Sequence, residues 1–194
     1  VALFFIAPLF TTRYLIDPYI NSVLLSNVVE GLIRIGIFIA YLKVIGLIPD
    51  IKRVFAYHGA EHKVVNAYEA GSPLEVESVK NYSTAHARCG TGFIFIVLII
   101  AIFVFALVGR PTLWISILSR IILIPVIAVI GYEIMKFGAS HIENTIVRVL
   151  LAPGLMLQAL TTREPDDSQL EAAISALNEV VEIDKAADSS YNAQ

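Results

Sequence analysis

The sequence has few charged residues and almost no cysteine. Only 16% of its 194 residues are Asp, Glu, Lys or Arg, whereas about a quarter of a soluble domain is charged. With 57% hydrophobic residues and a mean hydropathy of +0.74, this excludes an ordinary water-soluble globule and a disordered chain. The net charge of −3 provides no basic surface, so we expect no nucleic-acid partner. A single cysteine excludes a disulfide framework and C-x-x-C redox chemistry within the chain.

Long apolar runs predict an all-α fold: a polytopic transmembrane helical bundle in the lipid bilayer. A hydrocarbon core of about 30 Å needs roughly 20 mostly apolar residues as helix. About four runs qualify, namely Val1–Ile20, Ser22–Ile48, Gly90–Gly109 and Leu113–Lys136. The first is the weakest because it contains Pro8, Arg13, Asp17 and Pro18. Since the chain begins inside an apolar run, we expect a preceding segment rather than a cleaved signal peptide.

A fifth apolar segment, Thr145–Leu160, is short and contains Pro153. It predicts a half-inserted or interfacial helix interrupted at the proline. The expected organisation is two spans in 1–48, a polar helical insert in 49–89, two spans in 90–137, an interfacial or re-entrant segment in 138–160, and a tail helix in 161–194.

The insert and the tail carry signals for helix ends. Gly71 predicts the end of a helix over Val54–Ala70, and Ser72 with Glu75 predicts a capping box that starts a second helix. In the tail, Ser168 and Glu171 predict another capping box. One apolar stripe follows it, formed by Leu170, Ile174, Leu177 and Val181. This amphipathic tail helix predicts a surface for homo-oligomer formation.

The distribution of Lys and Arg predicts the orientation in the cell membrane. Four spans place the insert and the tail on the same side. That side holds Lys52, Arg53, Lys63, Lys80, Arg88, Lys136, Arg148 and Arg163, while the loop on the other side holds Arg110. The insert and the C-terminus are therefore predicted to be cytoplasmic, in a bacterial inner membrane.

The insert contains the pattern H-x-x-E-H, formed by His58, Glu61 and His62. Residues at i and i+4 share a helix face, so the two imidazoles could hold one metal ion. In inverzincin metalloproteases such a pair binds zinc, and the glutamate serves as general base. The alternative is that these histidines only pack at the boundary between water and lipid.

A catalytic zinc site has three protein ligands and one open position. Three residues are candidates for the third ligand: His86, Cys89 and Glu133. Two of the three have a simpler explanation. Cys89 could only ease the entry of a helix into the membrane, and Glu133 could pair with Lys136. Zinc suits imidazole and thiolate ligands best.

A second polar set lies within the predicted spans and consists of Glu30, Arg34 and Arg120. Each charge would cost about 2.5–3.5 kcal/mol at a bilayer centre on insertion scales. Similar depths predict that Glu30 lies close to Arg120 or Arg34, with Asp17 as a second candidate partner of Arg120. The set is either a fixed ion-pair network that locks the helices or part of an ion or substrate path.

These motifs resemble those of the YqhQ family of bacterial membrane proteins. The run Val54–Lys63 resembles its signature, and His86–Thr91 resembles its H-P-R-C-G-T element, with Ala87 where the family has proline. Leu160–Gln169 is similar to its C-terminal signature, and the resemblance covers Asn27–Val181. No function is established for that family. The resemblance implies a polytopic membrane protein, and the H-x-x-E-H run implies a metal-dependent enzyme.

The leading hypothesis is a membrane metal-dependent hydrolase acting on a peptide or lipid headgroup at the cytoplasmic face. In it His58 and His62 hold the ion and Glu61 is the general base. One alternative is a metal-ion or other ion transporter or channel with a cytoplasmic histidine site. Another is a scaffold with a structural metal.

Overall fold

The computed structural model describes residues 2–191, with side chains described for residues 3–186. Within this range every regular element is helical, so the all-α class is confirmed. The α-helices are α1 (Ala7–Thr11), α2 (Val23–Ile45), α3 (Pro49–Glu69), α4 (Val76–Val79), α5 (Gly90–Val108), α6 (Leu113–Ser140), α7 (Thr145–Gln158) and α8 (Asp167–Tyr191).

Residue contacts divide the chain into two compact units. The apolar unit consists of Val1–Val44 and Ala87–Leu157, and the polar unit consists of Ile45–His86 and Gln158–Gln194. The insert and the tail, which are far apart in sequence, therefore belong to the same unit.

The apolar unit contains the helices that suit a bilayer. Among residues 2–191, three helices are long and apolar enough to cross a membrane: α2, α5 and α6, with 23, 19 and 28 residues. α5 carries no charge and is followed by Gly109, whose φ of 75° with a ψ of −147° favours glycine. α6 continues through Pro125 as far as Ser140, four residues beyond the predicted end of the fourth span.

The predicted first span is helical but not one regular helix. It consists of a π-helix (Ala2–Ile6), α1, a second π-helix (Thr12–Ile16) and a 3-10 helix (Asp17–Tyr19). Pro8 lacks an N–H, and the hydroxyl of Thr12 donates to the Pro8 carbonyl at 2.9 Å, which perturbs regular helical bonding. A membrane crossing by this segment, and with it the count of four spans, stays a prediction.

The predicted interruption at Pro153 is wrong, because α7 is continuous from Thr145 to Gln158. A proline removes one backbone hydrogen bond from a helix, and α7 is maintained by those that remain. It is shorter than a full crossing.

The polar unit is held together by packing between α3, α4 and α8. Its core is fully buried and consists of Ala60, Val64, Ala67, Val79 and Leu170. Ile174 and Leu177 of α8 pack against this core. Part of the apolar stripe of the tail helix is therefore covered within the chain. Homo-oligomer formation through this helix stays a prediction.

The ends of these helices agree only partly with the sequence signals. Gly71 has a φ of 69°, and two backbone bonds, Ser72 N–H to Ala67 O and Gly71 N–H to Tyr68 O, form the Schellman end expected of a glycine. The capping box predicted at Ser72 is wrong: α4 begins at Val76 and its N-cap, Glu75, makes no side-chain cap.

The capping box of the tail lies two residues earlier than predicted. The Gln169 N–H donates to the Asp166 carboxylate at 2.9 Å, and the Asp166 N–H donates to the Gln169 side chain at 2.9 Å. An aspartate caps as well as a serine, and the chain offers both, so spacing alone selected the wrong pair.

Candidate metal centre

The two histidines of the H-x-x-E-H motif lie one turn apart on α3, with ring centroids 4.3 Å apart. Nδ1 of His58 lies 2.9 Å from the carbonyl oxygen of Thr161, and Nδ1 of His62 lies 2.6 Å from that of Thr84. A carbonyl oxygen can only accept, so Nδ1 carries the proton in each ring. In the neutral ring Nε2 is then the nitrogen with the lone pair, which is the arrangement that a metal-binding histidine needs.

Gly59 allows the chain segment at Thr161 to approach α3. A Cβ at position 59 would overlap the carbonyl oxygen of Arg163, and the Arg163 N–H donates to Phe55 O at 2.9 Å. The glycine inside the motif therefore has a definite role: it lets a backbone segment lie directly against the helix beside His58.

The segment at Thr84 is fixed to α3 by an amide side chain one turn beyond His62. Nδ2 of Asn66 donates to the carbonyl oxygens of Ser83 and Ala85, at 2.9 and 3.0 Å. The carbonyls on both sides of Thr84 are thus bound to the same helix that carries the histidine. Because His62 is only 6% exposed, its ring orientation is constrained by packing as well as by this hydrogen bond.

His86 is brought to the same unit, 5.9 Å from the His62 ring by centroid distance. The buried Gln158 accepts from the His86 N–H and donates to the His86 carbonyl, both at 2.9 Å. Nε2 of His86 lies 3.3 Å from a carboxylate oxygen of Glu69. That nitrogen could bind a metal only by giving up this contact with Glu69.

The remaining predicted site residues differ in placement. Glu61 is exposed on α3, next to the buried His62. Cys89 and Glu133 belong to the apolar unit: Cys89 is buried and caps α5, where Sγ accepts from the Thr91 N–H at 3.4 Å, and Glu133 is exposed on α6. Their roles as metal ligands stay predictions.

The buried charges of the apolar unit form one cluster. Glu30 is paired with Arg34, at 2.7 Å, and with Arg120, at 2.5 Å, as the depth argument predicts. Asp17 and Arg110 join it through an ion pair of 2.8 Å. Arg110 belongs to this cluster although its sequence position, in a loop between two apolar runs, places it outside the predicted polar set.

The two carbonyls that orient the histidines were not predicted either, because a backbone oxygen leaves no mark in the sequence. The one available signal was Gly59. A glycine inside a helix costs about 1 kcal/mol relative to alanine, so a glycine within a motif can mark a close approach to the backbone, as Gly59 does here.

A model of one protein family matches nearly the whole chain. The family is described as a protein of unknown function (DUF1385), and the match covers residues 1–183. The chain belongs to this family.

The chain is also similar to a curated bacterial protein, "Uncharacterized protein YqhQ" of Bacillus subtilis (strain 168). The two are 41% identical over 156 residues, which cover 80% of this chain and 49% of the relative. The chain thus spans about half the length of this relative, and the resemblance to the YqhQ family is confirmed. No solved structure matches the chain. Neither the family description nor the relative's name assigns an activity.

Proposed function

We propose that this membrane protein binds a divalent transition metal through His58 and His62 and acts as a metal-dependent hydrolase. One observation carries the proposal: both rings donate Nδ1–H to a backbone carbonyl, from two different segments. Metal-binding histidines almost always donate their second ring N–H to a carbonyl, carboxylate or water. With Nδ1 protonated, both rings present Nε2 as the lone-pair nitrogen, one turn apart on the same helix.

The donor set favours zinc. Two imidazole nitrogens suit Zn²⁺, and a catalytic site takes a third protein ligand while one position stays open. His86 lies in the same unit, and Cys89 follows it by three residues. Both are therefore candidates for the third ligand. Such an ion supplies Lewis-acid chemistry that polarises an oxygen of the substrate.

Glu61 fits the role of general base. It stands on the same helix as both histidines and it is exposed, so its carboxylate is accessible to water. The substrate that we propose is a peptide or a lipid headgroup, at the cytoplasmic surface of the membrane.

Metal analysis of the full chain, purified in detergent, tests the binding step. His58→Ala with His62→Ala should abolish stoichiometric zinc, while the exposed His141→Ala should retain it and serves as the matched control. His86→Ala and Cys89→Ser, measured separately, identify the third ligand. Wild-type zinc content in the double variant would show that the ion is bound elsewhere, and this would refute the site assignment.

Glu61→Gln separates a base from a ligand. The amide keeps the shape of the side chain but cannot take a proton, so the variant should retain metal at the wild-type stoichiometry. Loss of metal would instead make Glu61 a ligand.

The two alternative functions predict other results. A scaffold has a closed shell of four ligands, so cobalt substituted for zinc at the site would show the spectrum of an ion without exchangeable water. Uptake of the ion into vesicles that contain the protein would favour a transporter.

A further inference from the structure

The buried charged cluster of the apolar unit contains more positive than negative charge. It consists of the side chains of Asp17, Glu30, Arg34, Arg110 and Arg120. Three guanidinium groups face two carboxylates, and guanidinium groups remain charged in proteins. Burial of a charge without a partner is costly, and it is more so where lipid surrounds the protein.

Arg34 is satisfied by the protein. Its Nε donates to Phe4 O at 2.9 Å, its Nη2 binds Glu30, and its guanidinium lies 4.9 Å from the centre of the Phe5 ring. Arg120 is only partly satisfied: Nη1 donates to Ser116 O at 2.9 Å and Nη2 to Glu30, but its buried Nε has no hydrogen-bond partner among the described residues.

Arg110 leaves one whole edge of its guanidinium unpartnered. Nη1 donates to Asp17 at 2.8 Å. Nε and Nη2 are buried and have no hydrogen-bond partner within residues 2–191, since Nη2 lies 3.7 Å from the nearer Glu30 oxygen, too far for a hydrogen bond. Nε and Nη2 form the parallel pair of donors with which arginine binds a carboxylate or a phosphate.

Three further buried polar atoms in this region have no partner in the described part of the chain: Nδ2 of Asn27, Oδ1 of Asp17 and Oε2 of Glu30. The first is another donor, on the α2 face that also carries Glu30. The other two are acceptors. A ligand that fits must therefore accept several hydrogen bonds and be able to donate one or two.

The cluster is most open at the end near the α5–α6 loop. Side-chain exposure falls from 25% at Asp17 and 13% at Arg110 to 2% at Glu30. The unpartnered edge of Arg110 thus lies between the surface and the most deeply buried carboxylate.

We propose that this cluster binds a phosphate group, with the Nε–Nη2 edge of Arg110 as the main contact and Arg120 and Asn27 as additional donors. A phosphate monoester or hydrogen phosphate carries the negative charge that the cluster lacks. Its non-bridging oxygens accept hydrogen bonds, and the hydroxyl of its singly protonated form can donate to Asp17 or Glu30. The group can come from free phosphate or from a lipid headgroup.

The melting temperature of the full chain tests the proposal. In neutral detergent, inorganic phosphate titrated against chloride at matched ionic strength should raise it saturably. Arg110→Gln should raise the half-saturating phosphate concentration at least tenfold. Arg148→Gln, which changes an exposed arginine of α7, should leave it unchanged.

A second arm distinguishes the sources. Nanodiscs of phosphatidylcholine with and without phosphatidic acid present the same group as a headgroup. The lipid is the ligand if phosphatidic acid raises the melting temperature of the wild type but not of Arg110→Gln, and if free phosphate has no such effect. If Arg110→Gln does not fold, Arg110→Lys keeps the charge but removes the paired edge, and should also weaken binding at least tenfold. Absence of stabilisation by both probes, or equal stabilisation of wild type and the Arg110 variants, would overturn the proposal.

Discussion

Gly59→Ala tests the close approach that orients the first histidine. The added Cβ would overlap the Arg163 carbonyl, so the segment that contains Arg163 must move away from α3. That movement would break the bond from Arg163 N–H to Phe55 O and the bond from His58 to Thr161 O. A substitution that touches neither histidine should therefore impair both stability and metal binding.

The expected magnitude follows from opposing terms. Alanine is favoured over glycine in a helix by about 1 kcal/mol. Against this, each lost hydrogen bond costs about 0.5–1.5 kcal/mol, and overpacking costs about 1–3 kcal/mol. With two hydrogen bonds lost, the net loss in the free energy of unfolding should be about 1–5 kcal/mol. Loss of the carbonyl partner of His58 should weaken zinc binding by about 10–100-fold.

Gly36→Ala is the matched control, because Gly36 is also inside a helix but has nothing within 4 Å of an added Cβ. It should stabilise the chain by up to about 1 kcal/mol, the opposite sign. Thermal melting and zinc titration of the full chain in detergent measure both variants. Equal stability and equal zinc affinity in Gly59→Ala and wild type would refute the packing that we describe around His58.

Three further predictions concern other parts of the chain. Glu30→Leu should destabilise the protein more than Arg120→Leu, since it leaves two arginines without their carboxylate. The double variant should lose less free energy of unfolding than the two single variants together. Additive losses, measured by denaturation, would show that the pair is not coupled. Cysteine labelling in intact cells should protect a probe placed at Ser78 and modify one at Thr112, and the reverse pattern would overturn the predicted orientation. The Ser168 hydroxyl, followed by the Gln169 N–H, lowers the pKa of Asp166. The resulting stability is complete above the ordinary carboxyl pKa and is lost as the pH falls through the lowered value; Asp166→Asn, which still caps but does not titrate, should weaken this acid dependence of melting, and an unchanged dependence would contradict it.

Local sequence signals predicted those features of the site that depend on a single helix. The spacing of His58 and His62 places them on one face of α3, and Gly71 ends that helix. The pair Glu30 and Arg34 is likewise available within one turn of α2. Composition alone predicted α5, since 19 uncharged, mostly apolar residues are suited to the interior of a bilayer.

Where two local signals compete, spacing was an insufficient guide. Ser168 and Asp166 both qualify as N-caps, but Asp166 makes the capping bonds and the Ser168 hydroxyl donates to the Asp166 carboxylate. Ser72 also qualifies, but its hydroxyl binds Tyr82 instead. Such choices depend on which partner the rest of the fold brings close.

The chemistry of the site depends on contacts between residues that are far apart in sequence. The carbonyl that orients His58 comes from Thr161, 103 residues away, and the arginine that reaches Glu30 comes from α6, 90 residues away. The sequence by itself established which residues can bind a metal or carry a buried charge, because side-chain chemistry and helical periodicity are local properties. Folding established which nitrogen each histidine presents and which edge of Arg110 has no partner, because a hydrogen bond depends on distance and direction in space.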